Sequence, residues 1–279
     1  MDKDNHTPQD LAQAQGLTVL LVDDNPINRK LASKQLQRLG FTVNCAAGGE
    51  EALALWRQRP HFLLLTDCQM PGMNGYDLAR RIRAEEPAGA HIPIIALTAD
   101  VTEEASQQCQ QAGMDDYLSK PIELGQLRQA LYRWLPQDSG SATAEQNQDG
   151  FKAQPSTSQQ ATEPEAVDTQ GLIRVLGTSE ADILQGFYRE FIPFSQDLTQ
   201  SLSQALEQGD AAQIQRLAHK LGSSVRTLGA FALGDHCQRL EQQAAQGEPE
   251  KLAQSVQELL AEYHRVLAWI DRTCSPPSA

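Results

Sequence analysis

The sequence predicts a doubly wound α/β fold with a five-stranded parallel sheet, followed by an all-α four-helix bundle. Three observations carry this. Between Thr18 and about Leu135, short apolar runs alternate five times with helix-like stretches, the signature of a parallel sheet covered on both faces. From 137 to 167, large apolar residues give way to Gln, Ser, Thr, Ala, Gly and Pro. From about Asp168 to Thr273, strand signals vanish and apolar residues recur every three or four positions, as on a core-facing helix. The expected organisation is a polar tail 1–16, an α/β unit 17–136, a disordered linker 137–167, a helical unit 168–273 and a short tail 274–279.

The apolar runs of the first unit are Val19–Val22, Phe41–Cys45, Phe62–Thr66, Ile92–Leu97 and Tyr117–Leu118. Val19–Val22 is apolar on both faces, as a buried central strand should be. Helices are expected to begin near Pro26, Gly49, Asn74, Thr102 and Glu123. Asn25 before Pro26 supplies an N-cap and a preset first turn. The linker cannot bury enough surface to offset its ordering entropy. As a flexible coil it would span roughly 30 Å end to end.

In the second unit, Phe187, Phe191, Phe194, Leu198, Leu202 and Leu206 form an apolar stripe, which Pro193 is expected to kink or divide. Gly209 and Asp210 read as a helix stop and a new N-cap. Further helices are expected near Ala211–Leu228, Phe231–Gln243 and Lys251–Asp271, making an antiparallel bundle.

Composition narrows the function classes. The chain has 279 residues, is 40% hydrophobic and carries a net charge of −13. An acidic balance argues against a nucleic-acid partner, and no basic amphipathic helix suggests a membrane surface. The apolar runs are too short to span a bilayer, and Met1–Gly16 lacks the apolar core of a signal peptide. The five cysteines show no zinc-ligand spacing and read as free thiols of a reducing, cytoplasmic compartment.

The chemistry-bearing residues of the first unit fall at strand ends. Asp23 and Asp24 follow the first strand, and Asp67 ends the third. In a sheet of order 2-1-3-4-5 these strands are neighbours, so three carboxylates meet in one crevice. Their repulsion calls for a cation, and oxygen-only ligands suit Mg²⁺ best. Thr98 ends the fourth strand and Lys120 the fifth, offering a hydroxyl and a positive charge. An aspartyl nucleophile, a metal and a Lys make a phosphoryl-transfer site. Cys68 should point away from Asp67, which disfavours redox control.

The segments LLVDDNPINRKL, TDCQMPGMNGYDL, IPIIALTA and DDYLSKPI resemble the receiver domains of two-component response regulators and hybrid sensor kinases, with the flavodoxin-like fold of that family. The resemblance implies Asp67 as phosphoacceptor. It implies Asp24, Asp67 and the Gln69 main-chain carbonyl as Mg²⁺ ligands, with Asp23 acting largely through bound water. Thr98 and Lys120 would hold the phosphoryl oxygens, Tyr117 would switch rotamer on activation, and the Lys120–Pro121 bond would be cis.

In the second unit, the stripe Ile214, Leu217, Leu221, Val225 and Leu228 leaves His219 about 200° from Leu217 and Leu221, hence facing solvent. Gly222 and Ser223 lie on its face and would leave the imidazole open to a partner. The stretch LAHKLGSSVRTLGAFALGDHCQRLE resembles a histidine phosphotransfer domain, which implies His219 as the phosphorylated residue. One departure stands out: the family has Lys three residues after the His, and this chain has Gly222. Lys220 and Arg226 are the nearest cations that could substitute.

Together these readings describe a phosphorelay protein, similar to the C-terminal half of a hybrid sensor kinase. Phosphate would pass between Asp67 and His219, with an upstream histidine kinase and a downstream regulator receiver as partners. No glycine-rich ATP-binding boxes occur, so a kinase is not expected. Two alternatives are a binding module that sequesters or drains phosphate and an aspartyl-phosphate phosphohydrolase. The second would need an acid two residues after the nucleophile, where Gln69 stands. A flavodoxin-like electron carrier is disfavoured because Asp23 and Asp24 would repel the flavin phosphate.

Overall fold

The computed structural model describes residues 16–99, 102–135, 165–247 and 249–274. The expected tails, apart from Gly16 and Cys274, and the linker up to residue 164 lie outside the described residues. Five parallel strands form one sheet of order β2-β1-β3-β4-β5: β1 Thr18–Val22, β2 Thr42–Ala46, β3 Leu63–Asp67, β4 Ile94–Thr98 and β5 Asp116–Ser119. The helices between and after them are α1 Pro26–Arg38, α2 Gly49–Gln58, α3 Gly75–Glu85, α4 Glu103–Gln111 and α5 Leu124–Tyr132.

Successive strand residues serve opposite faces. Leu20, Val22, Leu64, Ile94 and Ala96 pack under α2, α3 and α4 through Leu53, Leu78, Ile82 and Cys109. Val19, Leu21, Leu63, Leu65, Ile95 and Leu97 pack under α1 and α5 through Leu36, Leu127 and Leu131. Both faces being covered, β1, β3 and β4 carry apolar residues on both sides of the sheet, as Val19–Val22 predicted. The side chain of Asn25 caps α1 by accepting from the Ile27 N–H at 3.1 Å, ahead of Pro26.

The second unit has a short helix, α6 Thr169–Leu176, and four longer ones: α7 Ala181–Glu207, α8 Ala211–Thr227, α9 Phe231–Gln246 and α10 Pro249–Cys274. Val167, just before α6, is already buried in the helical core. Asp168 caps α6, and its backbone N–H donates to the Gly229 carbonyl at 2.8 Å. Gly229 holds φ +86, and a Cβ there would stand 2.2 Å from the Asp168 carbonyl oxygen. The α8–α9 turn therefore needs glycine on both counts.

Pro193 does not divide α7, which runs unbroken through it. Pro193 and Arg189 are both exposed, so the Arg189 carbonyl that loses its N–H partner can turn to water. The buried stripe of α7 also differs from expectation. Leu184, Phe187, Tyr188, Phe191, Ser195, Thr199, Leu202 and Ala205 face inward, whereas Phe194, Leu198 and Leu206 are half-buried. Ser195 and Thr199 escape a hydrophobicity count because they satisfy themselves inside. The Thr199 hydroxyl donates to the Ser195 carbonyl at 2.9 Å, and Ser195 Oγ meets the Tyr263 hydroxyl at 3.0 Å.

The two units pack against each other through α1. Leu31 of α1 is buried within the helical core. The Gln35 amide donates to the carbonyls of Ile122 and, across the junction, Val175. Arg38 reaches the Leu176 carbonyl at 3.3 Å, and Lys30 pairs with Glu190.

Candidate functional site

The sheet topology brings the strand-end residues into one cleft. β1 and β3 are hydrogen-bonded neighbours in register Val22↔Thr66, so Asp23 and Asp24 emerge beside Asp67. Carboxylate oxygens of these three lie within 4.8 Å of one another. Thr98 closes β4, and its carbonyl accepts from the Lys120 N–H at 2.7 Å. The Lys120–Pro121 bond is cis. Lys120 Nζ sits 2.6 Å from Asp67 Oδ2 and 2.9 Å from Asp23 Oδ2. Asp67 Oδ1 accepts from the Gln69 N–H at 3.1 Å, and Asp23 Oδ1 from the Asn25 N–H at 2.8 Å. Gly75 makes this possible from below: its N–H donates to the Cys68 carbonyl, and a Cβ there would stand 2.2 Å from the Asp67 carbonyl oxygen.

The electrostatics follow from burial and mutual charge. Burial raises the Asp23 carboxyl to about 6, with Lys120 pulling it down and Asp67 pushing it up. Burial alone would lower the Lys120 ammonium, but the carboxylates of Asp23 and Asp67 outweigh it and raise its pKa. Hard oxygen donors crowded this closely fit a divalent cation with oxygen preference. Tyr117 is 39% exposed on β5. Cys68 is buried in the sheet core, its thiol pushed up by a hydrogen bond to Cys109 and by burial.

His219 stands in mid-α8, but it does not face open solvent as its helical position suggested. The side chain is 21% exposed, because the α/β unit covers that side of α8. Its Nδ1 lies 3.1 Å from Glu241 Oε1 on α9. Burial would lower its pKa, yet Glu241 outweighs burial and raises it, with Asp67 adding and Lys120 opposing. His219 is thus within electrostatic reach of the cleft on the other unit. Glu241 was missed by sequence reasoning: it is the last residue of the stretch that carries the resemblance, but it stands twenty-two residues from His219 on the next helix.

The junction around the cleft is hydrogen-bonded. Asn25 Nδ2 donates to Ser224 Oγ at 2.6 Å and to the Lys220 carbonyl at 3.2 Å. Asn28 Nδ2 donates to Ser223 Oγ at 2.6 Å, and Thr227 Oγ1 donates to Asn28 Oδ1 at 3.3 Å. Lys220 Nζ reaches Asp24 Oδ2 at 2.6 Å.

Two expectations about the neighbours of His219 are corrected. Gly222 does not leave space for a partner: it is buried, and a Cβ there would meet Cys237 Cβ of α9 at 3.0 Å. Its smallness serves the α8–α9 packing. Arg226 does not lean over His219. Its guanidinium donates to Asp235 at 2.7 Å and Gln238 at 3.0 Å, lying over Gly234. Lys220 alone of the two cations is turned to the cleft, and its partner there is Asp24.

Comparison with known proteins agrees with this division. Residues 19–132 match the response regulator receiver domain family, and residues 186–269 match the Hpt domain family. The virulence sensor protein BvgS of Bordetella pertussis is 36% identical over 242 residues, covering 82% of this chain and 18% of that protein. The sensor histidine kinase RcsC of Escherichia coli is 40% identical over 115 residues, covering 41% of this chain and 12% of that protein. The chain thus spans less than a fifth of the length of these curated relatives. Among solved structures, the receiver domain of a sensor histidine kinase from Pseudomonas aeruginosa, with magnesium coordinated in its cleft, is 40% identical. It covers 43% of this chain and 97% of that one at a TM-score of 0.40. Among the described residues, no helix is long and apolar enough to cross a membrane. With both families matched in order along one sequence, the chain joins a response regulator receiver domain to an Hpt domain.

Proposed function

We propose that the chain relays a phosphoryl group between Asp67 and His219, which stand on opposite sides of the junction between the docked domains. The observation that carries this is the junction itself. α8 lies beside the receiver cleft, with His219 close enough for Asp67 and Lys120 to act on its pKa. Asp67 presents Oδ2 to Lys120 and Oδ1 to the Gln69 N–H, so a phosphoryl group joined to either oxygen stays beside a fixed donor. Asp23, Asp24, Asp67 and the Gln69 carbonyl would hold Mg²⁺, which supplies charge neutralisation at the phosphoryl oxygens. Lys120 and Thr98 would hold the same oxygens from the other side, and Tyr117 would report the change by rotamer.

On His219, Glu241 accepts from Nδ1–H, which leaves the Nε2 lone pair as the nucleophile. In the forward step Nε2 attacks phosphorus, the N–P bond forms and the Asp67 O–P bond breaks. The electron pair returns to the carboxylate, where Lys120 receives the charge. The reverse step regenerates aspartyl phosphate. The chain is then a phosphotransfer protein rather than a kinase, its receiver catalysing only its own phosphorylation and dephosphorylation. A histidine kinase would supply phosphate and a regulator receiver would draw it off, in the cytoplasm.

The test is to incubate the full chain with labelled acetyl phosphate and Mg²⁺, then treat it with acid or base. Both an acid-stable, base-labile fraction and a base-stable, acid-labile fraction are expected. Absence of label in either fraction would refute the relay.

A further inference from the structure

Each of the three cleft carboxylates is paired with an ammonium group. Lys120, from the receiver, takes Asp23 and Asp67. Lys220, from the Hpt domain, takes Asp24 through Oδ2 at 2.6 Å and the Asp24 carbonyl oxygen at 3.3 Å. Lys220 is anchored at both ends, since its own carbonyl accepts from Asn25 Nδ2 and from Ser224 Oγ. Its side chain is 28% exposed and that of Asp24 16%, so the pair is only partly open to screening water.

We propose that Lys220 is a tethered cation that competes with the divalent metal for Asp24 while Asp67 carries no phosphoryl group, so that metal loading and domain docking oppose each other in the unphosphorylated chain. This rests on the receiver reading of the cleft. An oxygen bound to Mg²⁺ holds it at about 2.0–2.1 Å. Lys220 on the same carboxylate would leave an ammonium beside a dication, and like charges in a half-buried cleft repel strongly. Lys120 belongs to the receiver and stays with Asp67 whether or not the domains dock. Lys220 is carried to Asp24 by the docked Hpt domain, whose hold on Asn25 keeps its backbone there. Coupling of this kind is reciprocal: the factor by which docking weakens metal binding is the factor by which metal weakens docking. The cation that the family places three residues after its histidine is thus found one residue after it here, and it addresses the receiver instead of the imidazole.

The test counts bound Mn²⁺ in the full chain at low ionic strength, from the loss of the free-ion electron paramagnetic resonance signal. Lys220→Met should bind Mn²⁺ about tenfold more tightly than the native chain, within the usual range of coupling factors. Leu31→Asp, which breaks docking with Lys220 intact, should tighten binding similarly, and the double variant should add nothing. Small-angle X-ray scattering gives a second readout that needs no Leu31 variant: Mg²⁺ should expand the native chain and leave Lys220→Met unchanged. Equal Mn²⁺ affinity of native and Lys220→Met, with Asp24→Asn losing the ion in both, would overturn the competition and leave the receiver site standing. Tightening by Lys220→Met with none from a folded Leu31→Asp would overturn the coupling to docking. Undiminished Mn²⁺ binding by both Asp24→Asn and Asp67→Asn would instead sink the receiver reading itself.

Discussion

His219 Nδ1 and Glu241 Oε1 face each other at 3.1 Å between adjacent antiparallel helices of the bundle. The bond fixes the ring orientation and leaves Nε2 directed away from α9. It also raises the histidine pKa above its ordinary value.

Glu241→Gln should therefore lower the His219 pKa, seen by NMR titration of its ring protons. The sign for stability follows. A histidine whose folded pKa is raised contributes stability that is fully present below about pH 6.5 and is lost as pH rises through the folded pKa. Native chain and Glu241→Gln should differ by ~1 kcal/mol in urea unfolding below that pH, and the gap should close in alkaline buffer. A constant gap across the range would show that Glu241 acts by packing alone.

Asp67→Asn should abolish labelling by acetyl phosphate, and chelation by EDTA should do the same to the native chain. Both follow from the cleft, where Asp67 would be both acceptor and metal ligand. Labelling of the Asn variant at the native rate would show that the acceptor is misassigned.

His219→Gln should leave receiver labelling intact and remove the base-stable fraction. Aspartyl phosphate should also persist longer, one exit having been closed. If the base-stable label survives the substitution, the acceptor is a histidine other than His219.

Gly222→Lys should fail as a way of restoring the family pattern. Its Cβ would press on Cys237, and overpacking of this kind costs about 1–3 kcal/mol. The melting temperature should fall, with no gain in the phosphohistidine fraction. A stable Gly222→Lys chain that holds more phosphate on His219 would show that α8 and α9 can part there.

The receiver cleft was legible in the sequence because strand ends are fixed by a period of two. Once β1 and β3 are neighbours, Asp23, Asp24 and Asp67 have nowhere else to go, and Lys120 follows from β5. His219 was legible from its motif, but its surroundings were not. A 100° helical step places residues on one helix well and says nothing of what covers them. Asn25 caps α1 through Oδ1 as expected, but its Nδ2, like that of Asn28, is spent on a serine of α8 across the junction. Small polar residues of α8 are buried by hydrogen bonding rather than by apolarity, which a hydrophobic stripe cannot register. Gly222 misled for the same reason: a glycine beside a reactive group reads as access, when here it is a close contact with Cys237.

Asn25 and Asn28, on the rim of the receiver cleft, also help to hold the Hpt domain, and Leu31 of α1 is buried in its core. That rim is a single berth. If the chain relays phosphate as proposed, a partner that must reach Asp67 would wait while the berth is taken from within the chain. The rate at which the berth empties would then set a ceiling on throughput that no increase in the supply of donor could lift.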